Sequence, residues 1–427
     1  MRRGFATLAG FHRHEPGNGD HVDLFHPMLT KPTASALIRP FYPALDGIRA
    51  IAFLMVFANH YGNMACNWQI FEWGWTGVDL FFVLSGFLIT GILYDSLHRS
   101  DYFRNFYIRR ALRIFPLFYG FWIVILLLVP VLHFTLNRYN LAMAAYVGNF
   151  FLSGLIVARK LQLFHLAYGS LHHPGHYSYI SITPLWSLCV EEQFYLVWPA
   201  VIYFVRSRKV LLRVCFTVIA LTPFARALYM HRYPQLAGVG GIYVNSFLRL
   251  DTLLVGAAVA LWLREHSPSA VNVRRAAWAA ILIALTTLVA SLTIFVKNAA
   301  EVSVTNRVTS TVGFTLIAIT GAGLLLLAID PSTRISRWLQ YRPLVSLGRI
   351  SYGLYFFHGL FSNAFFTLSR FLWPHHLAFL VPIAAFAVAL TAASLSFRFV
   401  ESPFLRLKPV LAPRPGAADD SPPILVG

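Results

Sequence analysis

The sequence is short of charge, shorter still of acid, and nearly without cysteine. Charged residues make up 12% of it, about half of the ~25% found in soluble domains, which excludes an ordinary water-soluble enzyme. Only 17 Asp and Glu stand against 35 Lys and Arg, for a net charge of +18. Such a balance can signify nucleic acid. Here, however, the basic residues lie dispersed between apolar runs, which is a mark of membrane topology, so no nucleic-acid partner is expected. The three cysteines, Cys66, Cys189 and Cys215, lack metal-ligand spacing and make no disulfide framework. After Met1-Arg2-Arg3 the chain is broken by His12, Arg13, His14 and Glu15, leaving no apolar stretch adequate for a signal peptide. What the chain has in quantity is apolar residues, at 57%. It reads as an all-α polytopic membrane protein, because only helices and closed barrels satisfy their own backbone in lipid.

Apolar length gives ten spanning segments, about 48–66, 77–97, 115–135, 184–205, 210–230, 248–264, 276–296, 308–329, 345–367 and 377–400. The run 142–158 is either an eleventh span or, as its small and polar residues favour, a re-entrant or interfacial segment. Residues 1–40 form a loosely ordered arm, 41–408 the membrane domain, and 409–427 a Pro-rich disordered tail. Arginines gather at 99–113, 206–213, 264–275, 334–342 and 406–414 and thin out in the alternate loops. That asymmetry puts both termini in the cytoplasm.

The first span carries the most telling spacing. Arg49 and His60 are eleven residues apart with an almost wholly apolar run between them. Three helical turns therefore bring both onto one face, about 16 Å apart along the axis. A His at mid-membrane is a functional-site hypothesis by default; the alternative is a His satisfied by a neighbouring helix. Depth estimates place Asp79, Arg249 and Asp251 near the outer boundary and His358 about midway. The adjacent Glu191 and Glu192 lie about 11 Å below the start of their helix. These groups either line a polar chamber or pair off within the bundle. At the inner level Arg110 and Arg113 share a face beside Ile114-Phe115-Pro116, where Pro116 is expected to open the third helix. They are either snorkelling anchors or, together with Arg49, a phosphate site suited to bidentate guanidinium. Ser85-Gly86 and Gly91 read as close helix contacts. The loop histidines His165, His172, His173 and His176 have no carboxylate or thiol among them, so no metal is expected.

These residues resemble the membrane acyltransferase-3 family. The likeness runs over about 41–408 and rests on Leu45-Asp46-Gly47-Ile48-Arg49 with His60, on Gly77-Val78-Asp79-Leu80-Phe81-Phe82, and on Arg110-x-x-Arg113. It continues in Trp186-Ser187-Leu188 leading to Glu191-Glu192-Gln193, Arg249-x-Asp251, Ser351-Tyr352-Gly353-Leu354-Tyr355 with His358, and Val400-Glu401-Ser402-Pro403-Phe404. The resemblance implies about ten transmembrane helices and a multi-pass place in the bacterial inner membrane. It also implies an acyl-CoA donor, acetyl-CoA being the expected form, and a carbohydrate hydroxyl acceptor on a surface polysaccharide or oligosaccharide. A small secondary metabolite is the alternative acceptor. Some members carry a C-terminal esterase-like domain, and this chain is expected to be a stand-alone form.

In the mechanism expected from these residues, Arg49, Arg110 and Arg113 bind the donor. His60 acts as general base or as acyl carrier. Asp79, Glu191 or Glu192 orients it, and Arg249, Asp251 and His358 face the acceptor. The rival from another class is a proton-coupled transporter, against which the chain shows no inverted repeats.

Overall fold

In the computed structural model of the protein the described residues are 37–39, 41–65, 69–132, 138–153, 181–237, 240–295, 306–373 and 376–413. Cys66, the four loop histidines, most of the N-terminal arm and the end of the tail lie outside them. Among the described residues the regular elements are helices. The principal ones are α1 (Pro43–Ala65), α2 (Gly77–Asp95), α3 (Tyr102–Leu132), α4 (Trp186–Val205) and α5 (Arg208–Arg232). They continue with α6 (Leu250–His266), α7 (Ala270–Phe295), α8 (Phe314–Ile329), α9 (Ser351–Leu360) and α10 (Leu380–Ser396).

Seven helical segments among the described residues are long and apolar enough to cross a membrane: those built on α2, α3, α4, α5, α7, α8 and α10. The other three expected spans are helical too, and each differs for a visible reason. α1 carries Asp46, Arg49 and His60 along its length. α6 stops after 17 residues at Ser267, which sits in the left-handed region with φ 41°. The stretch 345–367 breaks into Arg342–Arg349, α9 and Ser362–Leu372, with turns at Ile350 and Phe361. Just before the first break the chain packs closely on α1: a Cβ on Gly348 would collide with the backbone of Asp46.

Two boundaries move relative to expectation. α3 begins at Tyr102, so Pro116 lies inside it and Arg110 and Arg113 ride on the helix rather than before it. Proline is tolerated within membrane helices because neighbours re-satisfy the freed backbone. The chain beyond 408 is ordered for another turn, Lys408–Leu411. Arg109 Nη1 then donates to Ala412 O at 2.5 Å and Asn105 Nδ2 to Pro413 O at 3.3 Å. Within 142–153 there are only short helices, Arg138–Ala144 and Gly148–Leu152, broken at Tyr146 (φ 56°), and neither is long enough to span.

The centre belongs to α2 and α8, whose apolar stretches are 67% and 72% buried, whereas that of α7 is 22% buried and turns Leu282, Ile283 and Val289 outward. Since lipid tails are as apolar as leucine, helix association here relies on close packing and polar contacts. The α2–α6 crossing shows it: a Cβ on Gly86 would strike Leu253 O, and one on Gly256 would strike Val83 O. Around this crossing α1, α3, α4 and α9 enclose the cavities described next.

Candidate active site

Two cavities open between these helices. The larger, about 340 Å³, is lined by Asn59 and His60 of α1, by Glu72 and Trp75 of the turn Gln69–Thr76, and by Trp186 and Tyr243. The smaller, about 120 Å³, is lined by Arg49, by Arg110 and Arg113 of α3, by Ser85 of α2, and by Glu191 and Tyr195 of α4. Val78 and Tyr355 line both, so the two spaces are neighbours that share the wall these side chains form. The Tyr355 hydroxyl is held there: it donates to Pro184 O at 3.1 Å and lies 2.7 Å from Ser187 Oγ.

In the larger cavity, His60 Nδ1 lies 3.0 Å from Nε2 of His358 on α9. The two rings are nearly parallel, with 13° between their planes. His358 is 1% exposed. Its backbone carbonyl accepts the Tyr61 hydroxyl at 2.5 Å, and Phe53 meets its ring edge-on. Asn59 Nδ2 donates to Phe71 O (3.2 Å) and Glu72 O (3.0 Å), tying the turn to α1.

In the smaller cavity Arg49 Nη1 pairs with Asp46 at 2.5 Å, the i, i+3 pair of the first turn of α1. Arg110 lays its guanidinium on the Tyr195 ring, 4.0 Å from the centroid, and its buried Nε has no hydrogen-bond partner among the described residues. Arg113 makes no ion pair among the described residues; Arg49 and Arg110 repel it while Glu401 and Asp46 attract it. Glu191 accepts from Ser85 Oγ at 2.5 Å. Three cations thus face one concave space against carboxylates that are partly committed elsewhere. That arrangement suits an anion, phosphate above all.

The expected site residues therefore divide. Arg49, Arg110, Arg113 and Glu191 line the smaller cavity, and His60 lines the larger with His358 behind it. Glu192 lines neither and sits under the influence of Arg110 and Glu191. Asp79 accepts from Arg249 Nη2 at 2.5 Å, and Asp251 pairs with Arg226; all four are fully buried and none lines either of these two cavities. The side chain hydrogen-bonded to His60 is thus His358, and none of Asp79, Glu191 and Glu192 lines its cavity. Sequence reasoning had not singled out Glu72 or Trp75, because the turn that carries them lies between spans, where apolar periodicity says nothing. Nor had it found Arg226, whose role is visible only through its partner.

A sequence profile described as an acyltransferase domain matches residues 42–398. The chain is similar to the peptidoglycan O-acetyltransferase OatA of Listeria monocytogenes, at 30% identity over 373 residues that cover 86% of this chain and 56% of that protein. It is also similar to the O-acetyltransferase OatA of Staphylococcus aureus, at 26% identity over 392 residues covering 85% of this chain and 57% of that protein. The chain spans a little over half the length of these relatives. No solved structure matches it.

Proposed function

The chain belongs to the acyltransferase-3 family, and from that premise we propose that it transfers a short acyl group, acetyl in the first instance, from acyl-CoA to a sugar hydroxyl across the membrane. The observation that carries this reading is the pair of adjacent cavities, one ringed by Arg49, Arg110 and Arg113 and the other holding His60, with Val78 and Tyr355 as their shared wall. The donor's phosphates take the arginine end, which the arginine distribution assigns to the cytoplasm. Its pantetheine arm follows α1 for about 16 Å and brings the thioester past Tyr355 to His60.

In the larger cavity His60 Nε2 takes the proton of the acceptor hydroxyl as its oxygen bonds to the thioester carbon. The carbon–sulfur bond then breaks, and the leaving thiolate takes that proton back from the imidazolium, giving the O-acyl sugar and CoA thiol. Trp75, Trp186, Tyr243 and Tyr355 offer the flat apolar faces, beside a few polar groups, that small-ligand sites use. A carbohydrate acceptor agrees with the peptidoglycan for which the Listeria relative is named. The full chain reconstituted in vesicles with acetyl-CoA and a panel of glycans tests the proposal, CoA release being followed alongside acceptor mass. His60→Gln should lower transfer by ~10²–10⁴ with donor binding kept. Transfer within about threefold of wild type, far inside that factor, removes His60 from the chemistry. Thiol labelling of Ser207→Cys from the cytoplasmic side and Ile70→Cys from the opposite side tests the orientation, and the reverse pattern overturns it.

A further inference from the structure

We infer that His358 is a positioning residue that locks His60 in the one tautomer able to act as base toward the larger cavity. This rests on the reading of His60 as base given above. The argument is a count of hydrogens. His358 Nδ1 lies 2.7 Å from Tyr355 O and 3.3 Å from Leu354 O. Carbonyl oxygens only accept, so Nδ1 carries the hydrogen and, in the neutral ring, Nε2 carries the lone pair. That Nε2 is the atom 3.0 Å from His60 Nδ1. His60 Nδ1 must therefore donate, and the lone pair of neutral His60 is left on Nε2, the nitrogen turned away from His358. Which nitrogen of an imidazole is protonated is set by the hydrogen bond that the other one makes. The carbonyls of α9 thus choose the tautomer of a residue on α1, through one intervening ring.

The partner is held as firmly as the task requires. Its ring is packed by Phe53 and Tyr355 at centroid distances of 5.7 and 5.3 Å, and its backbone carbonyl is capped by Tyr61. When His60 takes the hydroxyl proton, its Nδ1–H continues to donate to His358, now as a charge-assisted bond. His358 supports the imidazolium without exchanging a proton of its own and touches neither donor nor acceptor.

The test uses the full chain in vesicles with ¹⁵N-labelled histidine, the His60 signals being assigned by their loss in His60→Gln. In wild type, His60 should show a protonated Nδ1 and a bare Nε2. His358→Leu removes the acceptor, so the proton becomes free to occupy Nε2. The ¹⁵N pattern should shift accordingly, and kcat should fall by at least ~10-fold, a part of the general-base factor, with KM for acyl-CoA unchanged. His358→Gln can offer its amide oxygen to Nδ1–H and should restore both the wild-type pattern and most of kcat. A protonated Nε2 in wild type overturns the inference, as does a His358→Leu protein with wild-type kcat. Equal losses in the Leu and Gln variants with the His60 pattern unmoved would make His358 a packing residue only, and would also overturn it. An active His60→Gln protein instead sinks the base reading, and does so whatever the ¹⁵N pattern shows.

Discussion

Two groups of charged side chains lie inside this bundle, built from the same residue types and closed to different degrees. Between α2, α5, α6 and α8 the charges are matched one to one. Arg226 donates Nε to Leu248 O (2.6 Å), Nη1 to Thr311 O and Thr315 Oγ1 (both 3.0 Å), and Nη2 to Asp251, whose other oxygen accepts from Thr315 (2.5 Å). Arg249 takes Asp79, and aromatic faces surround its guanidinium, Phe314 at 4.1 Å and Tyr243 at 5.0 Å. In the smaller cavity the pairing is incomplete: Asp46 serves Arg49, Glu191 accepts from Ser85, and Arg110 and Arg113 make no ion pair among the described residues, though Glu401 and Glu192 lie near enough to act on them. The closed group holds helices together. In the open group the guanidiniums of Arg110 and Arg113 keep donors that no carboxylate has taken, and uncommitted donors facing a cavity are what a ligand can use.

The largest effect should follow from opening the closed group. Arg226→Met leaves Asp251 buried and unpaired, and breaking a buried pair from one side typically destabilises by ~3–5 kcal/mol. The detergent-purified variant should unfold well below wild type, or be recovered in small yield. Arg226→Met with Asp251→Leu should regain most of the loss, since an apolar pair of similar volume is often neutral or better. An Arg226→Met protein that folds normally but no longer binds acyl-CoA would move this pair into the functional group and dissolve the contrast.

A smaller effect, on binding rather than folding, is expected in the open group. Arg110→Lys and Arg113→Lys keep the charge but lose the planar fork, and at position 110 also the stacking on Tyr195. Each should weaken acyl-CoA binding by about tenfold, ~1.4 kcal/mol, with the unfolding midpoint unchanged. Isothermal titration against acetyl-CoA beside a thermal melt separates the two readouts. If the melt moves and the binding does not, these arginines belong with the structural charges.

How much of this was legible in the sequence follows from how far apart the partners lie. Arg49 and His60 share one helix, so periodicity alone puts them on a common face. The convergence of Arg110 and Arg113 on Arg49 came from matching depths across two helices, which hydropathy supports. Depth does not name a partner. Asp79 and Arg249 are 170 residues apart in sequence, and so nothing local distinguishes their closed pair from an acceptor site. His358 was legible as a mid-depth histidine, while its contact with His60 depends on how α9 packs, across 298 residues. The breaks at Ile350 and Phe361 around α9 were illegible too: no Pro stands in 345–367, and apolar length alone does not mark where a helix turns.

The smallest effect is expected at a third kind of charge pair, closed in geometry but open to water. Arg99 grips Asp101 with two bonds, Nε to Oδ1 at 2.6 Å and Nη2 to Oδ2 at 2.7 Å, and Asn105 adds another at 2.5 Å. Hydrogen bonding from the Arg99 guanidinium, outweighing the small effect of desolvation, holds the Asp101 carboxyl below its ordinary range. A carboxyl depressed in the folded state lends stability above its unfolded value, roughly 3.9, and loses it as the pH falls through the folded value. Any contribution is therefore present at neutral pH and gone in strong acid. Because both partners still reach water, with 28% of each side chain accessible, water and salt screen the pair. Asp101→Asn should leave the unfolding midpoint unchanged within error at pH 7, and more closely still at pH 3 or in molar salt. A loss at pH 7 as large as that of Arg226→Met would mean that bond geometry, rather than burial, sets what a pair is worth in this fold. The contrast between closed and open groups would then have to be redrawn on geometry alone.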